Sequence, residues 1–128
     1  MIAVIAISVG ASLGALARWG LALWLNANPV APPIIPWGTL AANLIGGYLV
    51  GVAVSTLQAI PTLDPVWRLA IITGFLGGLT TFSSFSAEVI SMLQQARYVT
   101  ALGTAMLHVL GSLLLTVLGM RTVGYFLR

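Results

Sequence analysis

Residues 74–86 read GFLGGLTTFSSFS and interrupt a long apolar segment with three glycines, two threonines and three serines. Glycine makes a helix entropically costly, and β-branched threonine loses side-chain freedom in one. Backbone groups released from a helix at membrane depth must be buried in protein or face a water-filled cavity. The stretch therefore predicts a helix break. A small-residue packing face is the alternative, but five hydroxyls alternating with Phe82 and Phe85 favour a functional break.

The composition around this stretch is that of a protein dissolved in lipid. Of the 128 residues, 59% are hydrophobic and 5% are charged, and the mean hydropathy is +1.08. A soluble domain carries about a quarter charged residues. So few charges cannot cover the surface of a compact water-soluble fold, which makes the bilayer the natural solvent.

Four apolar segments are long enough to cross the bilayer, which takes about 20 residues. They cover approximately residues 2–25, 37–57, 66–98 (broken near 77–83) and 100–120, with turns near 26–36, 58–65 and 94–97. The predicted fold class is an all-α membrane protein, a single domain over 1–128 with four transmembrane helices and a break in the third.

Charge and residue counts exclude several classes of function. There is no cysteine, one histidine and two acids, so disulfide frameworks, thiolate metal sites and most acid–base pairs are excluded. The five basic residues are all arginines and are scattered singly. A nucleic-acid site would need them clustered on one face, so no nucleic-acid partner is expected.

The arginines are almost evenly divided between the two sides of the membrane that four spans imply. Arg68, Arg121 and Arg128 fall near one side, and Arg18 and Arg97 near the other. The positive-inside rule sets orientation by an excess of basic residues on one side. The near balance has two readings of equal weight: a small protein with few charges, or a chain that inserts both ways round.

Polar residues inside membrane spans are costly and commonly mark a pathway. In the second segment, Thr39 and Asn43 are four residues apart and share one helix face. In the fourth, a polar residue recurs every four positions, at Thr104, His108, Ser112 and Thr116. Hydroxyls often bond only to the carbonyl four residues back, which is a sufficient account of Thr116 and an alternative for Thr104. It cannot satisfy the two donors of the Asn43 amide.

The remaining polar residues each have two readings. Arg18 either extends to the interface or attracts anions to a vestibule. Glu88 either lines an aqueous vestibule or bonds a neighbouring helix. His108 could carry a proton, but it is better read as a neutral hydrogen-bonding member of its stripe. Phe82 and Phe85 are either core residues or present their electropositive ring edges to an anion. The inventory favours a small anion.

Three motifs, in order, resemble the Fluc (CrcB) family of fluoride channels. The first segment has Gly10-x-x-x-Gly14-Ala15-x-x-Arg18, and the second has Gly38-Thr39-Leu40-x-x-Asn43-x-x-Gly46 with Gly51 beyond it. The third has Gly74-Phe75-x-Gly77-Gly78-x-Thr80-Thr81-Phe82-Ser83-Ser84-Phe85-Ser86. A GxxxG pattern alone is common in membrane helices, whereas the third motif is long and specific.

The resemblance implies a multi-pass protein of the bacterial plasma membrane that passively exports cytoplasmic fluoride. It implies a dual-topology antiparallel homodimer with two pores. Phe82 and Phe85 are then the aromatic rings of the ion path, Asn43 their polar neighbour and Arg18 the vestibule arginine. Thr39, Ser112 and Glu88 resemble the polar track, and position 108 is less fixed in the pattern. Backbone carbonyls near the break, at Gly77 and Thr80, are expected to hold a central sodium ion.

Other classes of function remain as alternatives. A small multidrug-type proton-coupled exporter is also a four-helix dimer with little charge bias, but it needs an acid in its first helix, where this chain has Arg18. A membrane packing subunit would conduct nothing. An intramembrane enzyme would need a nucleophile and an oriented base, and no acid evident in the sequence orients His108.

Overall fold

The computed structural model describes residues 1–27 and 34–127. Most of the proline-rich turn expected at 26–36 lies outside the described residues, as does Arg128. The described parts contain helices and turns and no strands.

Five helices follow one another in the two described ranges. They are α1 (Ile2–Leu25), α2 (Trp37–Ala59), α3 (65–79), α4 (Phe82–Gln94) and α5 (Tyr98–Phe126). Two stretches, Leu69–Leu76 in α3 and Leu107–Gly111 in α5, have wider π-helical turns. Such turns are rare and often occur near functional sites. Neither stretch was predicted from the sequence.

Four helical segments in the described parts are long and apolar enough to span a membrane. They are α1, α2, Pro65–Gln94 (α3 together with α4) and α5. Large apolar side chains such as Val9, Leu13 and Leu16 are exposed. Lipid is as apolar as these side chains, so this exposure is expected of a membrane protein. The prediction of an all-α protein with four membrane-spanning segments is confirmed.

The helix ends differ from the predicted spans where local turn chemistry overrides hydropathy. Tyr98 begins α5 and does not end the third segment, because Ala96 has a positive φ of 57° and the Arg97 N–H donates to the Met92 carbonyl at 2.9 Å. The Asp64 carboxylate accepts the Val66 N–H at 2.9 Å and begins α3. Helix α2 continues to Ala59 and α5 to Phe126, beyond the predicted ends at 57 and 120.

Between α3 and α4 the backbone is extended for two residues. Thr80 has φ −83° and ψ 154°, and Thr81 has φ −149° and ψ 118°. The Thr81 hydroxyl accepts the Ser84 N–H at 3.1 Å, which caps the beginning of α4. The two residues lie in the middle of the segment Pro65–Gln94.

Glycines allow the helices to approach closely in two pairs. In the first pair, α1 lies against α3, where a Cβ added at Gly74 would lie 2.9 Å from the Ile7 carbonyl oxygen. In the second pair, α2 lies against α5, where a Cβ at Gly47 would lie 2.9 Å from the Ser112 carbonyl oxygen. Small residues let membrane helices pack at such short range. The second pair holds α2, which carries Asn43, directly against α5, which carries His108 and Ser112.

Candidate functional site

The side chain of Asn43 holds the extended backbone at Thr81. The Thr81 N–H donates to Asn43 Oδ1 at 2.7 Å, and Asn43 Nδ2 donates back to the Thr81 carbonyl at 3.0 Å. Asn43 Nδ2 also lies 2.9 Å from His108 Nδ1. Both ends of this amide therefore have partners. One partner is the extended backbone between α3 and α4, and the other is a side chain of α5.

This pairing explains why the helix does not continue. In an unbroken helix the Thr81 N–H would donate to the Gly77 carbonyl, four residues back, whereas in this fold it donates to Asn43. The Asn43 side chain replaces the Gly77 carbonyl as the acceptor of the Thr81 N–H. The Gly77 carbonyl is therefore left without its helical donor. Gly46, one turn further along α2, gives room to the Thr80 side chain.

Three rings stack beside the Asn43–Thr81 pair. The Phe82 and Phe85 rings meet edge to face, with centroids 5.5 Å apart at 62°. Phe85 lies on the His108 ring at a centroid distance of 4.6 Å and 32°. Phe85 and His108 are buried, whereas Phe82 is 78% exposed. The row therefore runs from the interior of the subunit to its surface.

An open cleft of about 470 Å³ lies against these groups. Its walls come from α2, α3, α4 and α5 and from the extended residues between α3 and α4. They comprise Asn43, Gly46, Gly47, Val50, Ile72, Leu76, Gly77, Thr80, Thr81, Phe82, Phe85, His108, Val109, Ser112, Leu113 and Thr116. This lining contains amide, hydroxyl and imidazole groups and no carboxylate.

The polar stripe of α5 divides into different kinds of contact. The Ser112 hydroxyl donates to the backbone carbonyl of Asn43 at 3.4 Å. Thr116 lies 2.9 Å from the Ser112 carbonyl, four residues back, and 2.9 Å from the Gly47 carbonyl. The bond from Thr116 to the carbonyl four residues back, expected from the sequence, is thus observed. The same hydroxyl also contacts α2 at Gly47. The hydroxyl of Thr104 is buried without a hydrogen-bond partner among the described residues, so the local alternative fails for Thr104.

Thr39 and Glu88 form a separate polar pair. The Thr39 hydroxyl donates to Glu88 Oε1 at 2.6 Å, while Glu88 Oε2 is buried with no partner in the described parts of the chain. Glu88 also lines a second cleft of about 320 Å³, together with Arg97. Glu88 is thus a helix-to-helix hydrogen-bond partner, and its expected place in an aqueous vestibule stays a prediction.

Arg18 contacts the end of α3. Its Nε donates to the Gly78 carbonyl at 3.1 Å, and the side chain is partly buried. A cation near a helix C-terminus interacts favourably with the free carbonyls and the helix dipole. Arg18 lines neither of the two clefts.

The structure thus places the predicted residues in three groups. The first cleft contains Asn43, Phe82, Phe85, His108 and Ser112, together with Gly77 and Thr80. Glu88 lines the second cleft and is bonded to Thr39, and Arg18 lies at the end of α3.

Sequence reasoning did not select Thr81, whose peptide group is central to the first cleft. The pattern Thr81-Phe82-Ser83-Ser84 contained a usable signal, since a threonine before a new helix commonly accepts an N–H two or three residues on. Its partner Asn43, 38 residues away, could not be identified from such a local pattern.

Four helical segments long and apolar enough to span a bilayer define a multi-pass membrane protein. Residues 5–120 match the sequence model of the family described as "CrcB-like protein, Camphor Resistance (CrcB)". The chain belongs to this family, which confirms the resemblance seen in the sequence motifs.

Several bacterial relatives are similar over nearly their whole length, and each is named "Fluoride-specific ion channel FluC". The protein of Albidiferax ferrireducens is 65% identical over 99% of this chain and 95% of its own. The protein of Variovorax paradoxus is 62% identical over 96% of this chain and 95% of its own. That of Paracidovorax citrulli is 56% identical over 94% of this chain and 93% of its own.

Replacing Asn43 by leucine tests how much its hydrogen bonds to the Thr81 backbone stabilise the fold. Asn43→Leu keeps the approximate volume and removes the partner of the Thr81 N–H, the Thr81 carbonyl and His108 Nδ1. A buried polar group without a partner costs about 1–3 kcal/mol, so the free energy of unfolding in detergent is expected to fall by at least about 2 kcal/mol. Ser86→Ala is the matched control, because that hydroxyl bonds the Phe82 carbonyl of its own helix. Equal stabilities of the two variants would contradict the proposed hold.

Proposed function

We propose that this chain is a fluoride-specific ion channel that passively exports cytoplasmic fluoride across the bacterial plasma membrane. The observation that carries the proposal is the cleft at the extended residues, where aromatic rings and hydrogen-bond donors meet without a carboxylate. Family membership and the names of the relatives specify the ion. The proposed activity is that of a channel and not of an enzyme.

The chemistry of the cleft suits a small, strongly hydrated anion. Such an ion gives up water only where other donors replace it. The Thr80 and Ser112 hydroxyls line the cleft; they donate to the backbone carbonyls of Leu76 and Asn43, and each would turn to donate to the ion. The edges of Phe82 and Phe85 add positive electrostatic potential without a full charge. Conduction requires binding that is strong enough for entry and weak enough for release. A row of neutral donors meets that requirement better than a fixed cation.

The other predicted residues extend the proposed path. Thr39, one helical turn along α2 from Asn43, is bonded to Glu88, which lines the second cleft. We assign them to the polar track that leads to the Phe82 and Phe85 rings. Arg18 lies at the end of α3, and we assign it to the vestibule, where a guanidinium raises the local concentration of anions.

The flux assay uses proteoliposomes loaded with potassium fluoride or potassium chloride. Fluoride efflux through the wild-type protein is expected to exceed chloride efflux by a large factor. Phe82→Ile should strongly reduce fluoride efflux per channel, because it removes a ring edge from the path. Phe126→Ile is the matched control: that ring is also 78% exposed and lies at the far end of α5.

Three outcomes would count against the proposed function. Equal fluoride and chloride efflux would show that the protein does not select fluoride over chloride. Proton-coupled uptake of a hydrophobic cation would indicate a multidrug-type exporter. No flux of either kind from correctly folded protein would indicate a packing subunit.

We also propose that two copies form an antiparallel homodimer with dual topology. The first cleft is open on one side of the single subunit, and Phe82 projects there with 78% of its surface exposed beside polar groups. A second copy would enclose such a half-lined path. Arg68 lies near the start of α3 and Arg121 near the end of α5, while Arg18 and Arg97 lie toward the opposite ends. This balance fits insertion both ways round.

Dual topology is tested by labelling a single cysteine. The sequence contains no cysteine, so Leu127→Cys gives a unique thiol beyond the end of α5. An impermeant maleimide applied to sealed vesicles should label about half of the protein, and permeabilisation should expose the rest. Complete labelling, or complete protection, before permeabilisation would contradict dual topology.

A sodium ion at the centre of this dimer is proposed as a structural cofactor. The Gly77 carbonyl lacks its helical donor because the Thr81 N–H donates to Asn43. Gly77 is exposed, and within the described parts of the chain a Cβ there would have the Ile72 carbonyl oxygen as its one neighbour inside 4 Å, at 3.6 Å. Backbone oxygens at membrane depth need a partner. The carbonyls of Gly77 and Thr80 from two subunits would give a monovalent cation four neutral ligands.

Replacing sodium by N-methyl-D-glucamine tests this ion. A ligand that binds only the assembled dimer stabilises it by mass action. Dimer stability in detergent is therefore expected to fall when sodium is withdrawn, and fluoride efflux should fall with it. Potassium at the same concentration controls for ionic strength. If neither quantity responds to sodium, the proposed site does not exist.

A further inference from the structure

The orientation of the Asn43 amide follows from its partner. The backbone N–H of Thr81 can only donate, so the side-chain atom 2.7 Å from it has to be the acceptor Oδ1. The other end of the amide is then the NH₂ group, which lies 3.0 Å from the Thr81 carbonyl and 2.9 Å from His108 Nδ1. An NH₂ group only donates. Both of these partners are therefore acceptors.

This assignment decides where the proton of His108 lies. A neutral imidazole has one N–H and one acceptor nitrogen. Since Nδ1 accepts from Asn43, the proton is on Nε2. That nitrogen is buried and has no hydrogen-bond partner within the described parts of the chain, and the whole side chain is only 4% exposed. The Asn43 bond thus fixes a tautomer whose N–H is left unpaired.

We propose that His108 positions Asn43 while neutral and releases it on taking a second proton, so that a proton regulates the backbone at Thr81. A proton on Nδ1 would set an N–H against the Asn43 NH₂ group 2.9 Å away. Turning the amide over would satisfy His108, but it would set the NH₂ group against the Thr81 N–H. The present pairing of Asn43 with Thr81 cannot survive protonation of His108 in either arrangement.

The groups around His108 define which other titration has to be controlled. Helix α2 presents Asn43 and α4 presents Phe85, neither of which titrates. Among the described residues of these two helices, the titratable carboxyl is that of Glu88, one turn beyond Phe85 and bonded to Thr39. Glu88→Gln therefore separates any contribution of that carboxyl.

The structural part of the proposal is independent of transport, and only its consequence for flux rests on the proposed function. His108 is the single histidine and Thr80–Thr81 the single Thr–Thr pair in the sequence. In bilayers containing protein labelled with ¹⁵N-histidine and ¹³C,¹⁵N-threonine, solid-state NMR observes one imidazole. It also observes one sequential threonine peptide, whose nitrogen is the Thr81 N–H donor.

The expected spectrum near pH 8 shows an unprotonated Nδ1 and a protonated Nε2. On acidification toward about pH 5, a range that covers ordinary histidine titration, Nδ1 should become protonated. The Thr80–Thr81 correlation should shift over the same pH interval. Glu88→Gln should retain this joint response. Fluoride efflux should decline in parallel after subtraction of efflux from protein-free liposomes, which measures diffusion of uncharged HF.

Two substitutions at position 108 separate the positioning role from packing. In His108→Asn, the Oδ1 atom can accept from Asn43 in place of Nδ1 but cannot take up a proton in this range. The Thr80–Thr81 correlation of that variant should keep its wild-type position at every pH. His108→Phe retains a ring against Phe85 and offers no acceptor, so the correlation should be displaced even near pH 8.

Several results would overturn the proposal. One is a proton on Nδ1 near pH 8. Another is an imidazole that stays neutral down to about pH 5, or a Thr80–Thr81 correlation that does not move as the imidazole titrates. A wild-type correlation in His108→Phe would also overturn it. A channel without fluoride selectivity but with the expected spectra would refute the proposed function and leave this inference standing.

Discussion

The exchange of two hydrogen bonds between Asn43 and the peptide groups at Thr81 is the interaction on which the rest of the site depends. A backbone that leaves its helix at membrane depth needs partners from the protein or from a water-filled cavity. Asn43 bonds both the N–H and the carbonyl of Thr81 with one side chain. The two extended residues that this side chain bonds lie beside the cleft and the row of rings, and they leave the Gly77 carbonyl without the Thr81 N–H as donor.

Helix packing makes the interaction possible. Asn43 is on α2 and His108 on α5, and these helices approach closely through Gly47 and Gly51. The N-cap at Thr81 begins α4 immediately after the extended residues, which places Phe82 and Phe85 beside the amide. The core of the single subunit is small, with Ala42, Leu76 and Leu79 at its centre. Specificity in this fold therefore comes from polar contacts and small residues more than from a large apolar core.

The sequence predicted those features that depend on composition and local pattern. Residues close together in the chain are enough to predict the four spans and the stretch 77–83 that forms a helix poorly. They also predict that Thr39 and Asn43 share a helix face. The sequence could not predict that Asn43 bonds the backbone of Thr81 and the ring of His108 in particular, because these partners are 38 and 65 residues away. The π-helical turns of α3 and α5 also escaped prediction, since their apolar residues equally suit an ordinary helix.

The most direct measurement of the central claim is the backbone conformation at Thr80 and Thr81 in a bilayer. Carbon chemical shifts from solid-state NMR distinguish extended from helical residues, and the unique Thr–Thr pair allows assignment from a single labelled amino acid. Extended shifts are expected at both threonines, flanked by helical shifts on either side. Helical shifts at Thr80 and Thr81 would show that α3 continues into α4, and would contradict the claim that Asn43 ends α3 by bonding the backbone of Thr81.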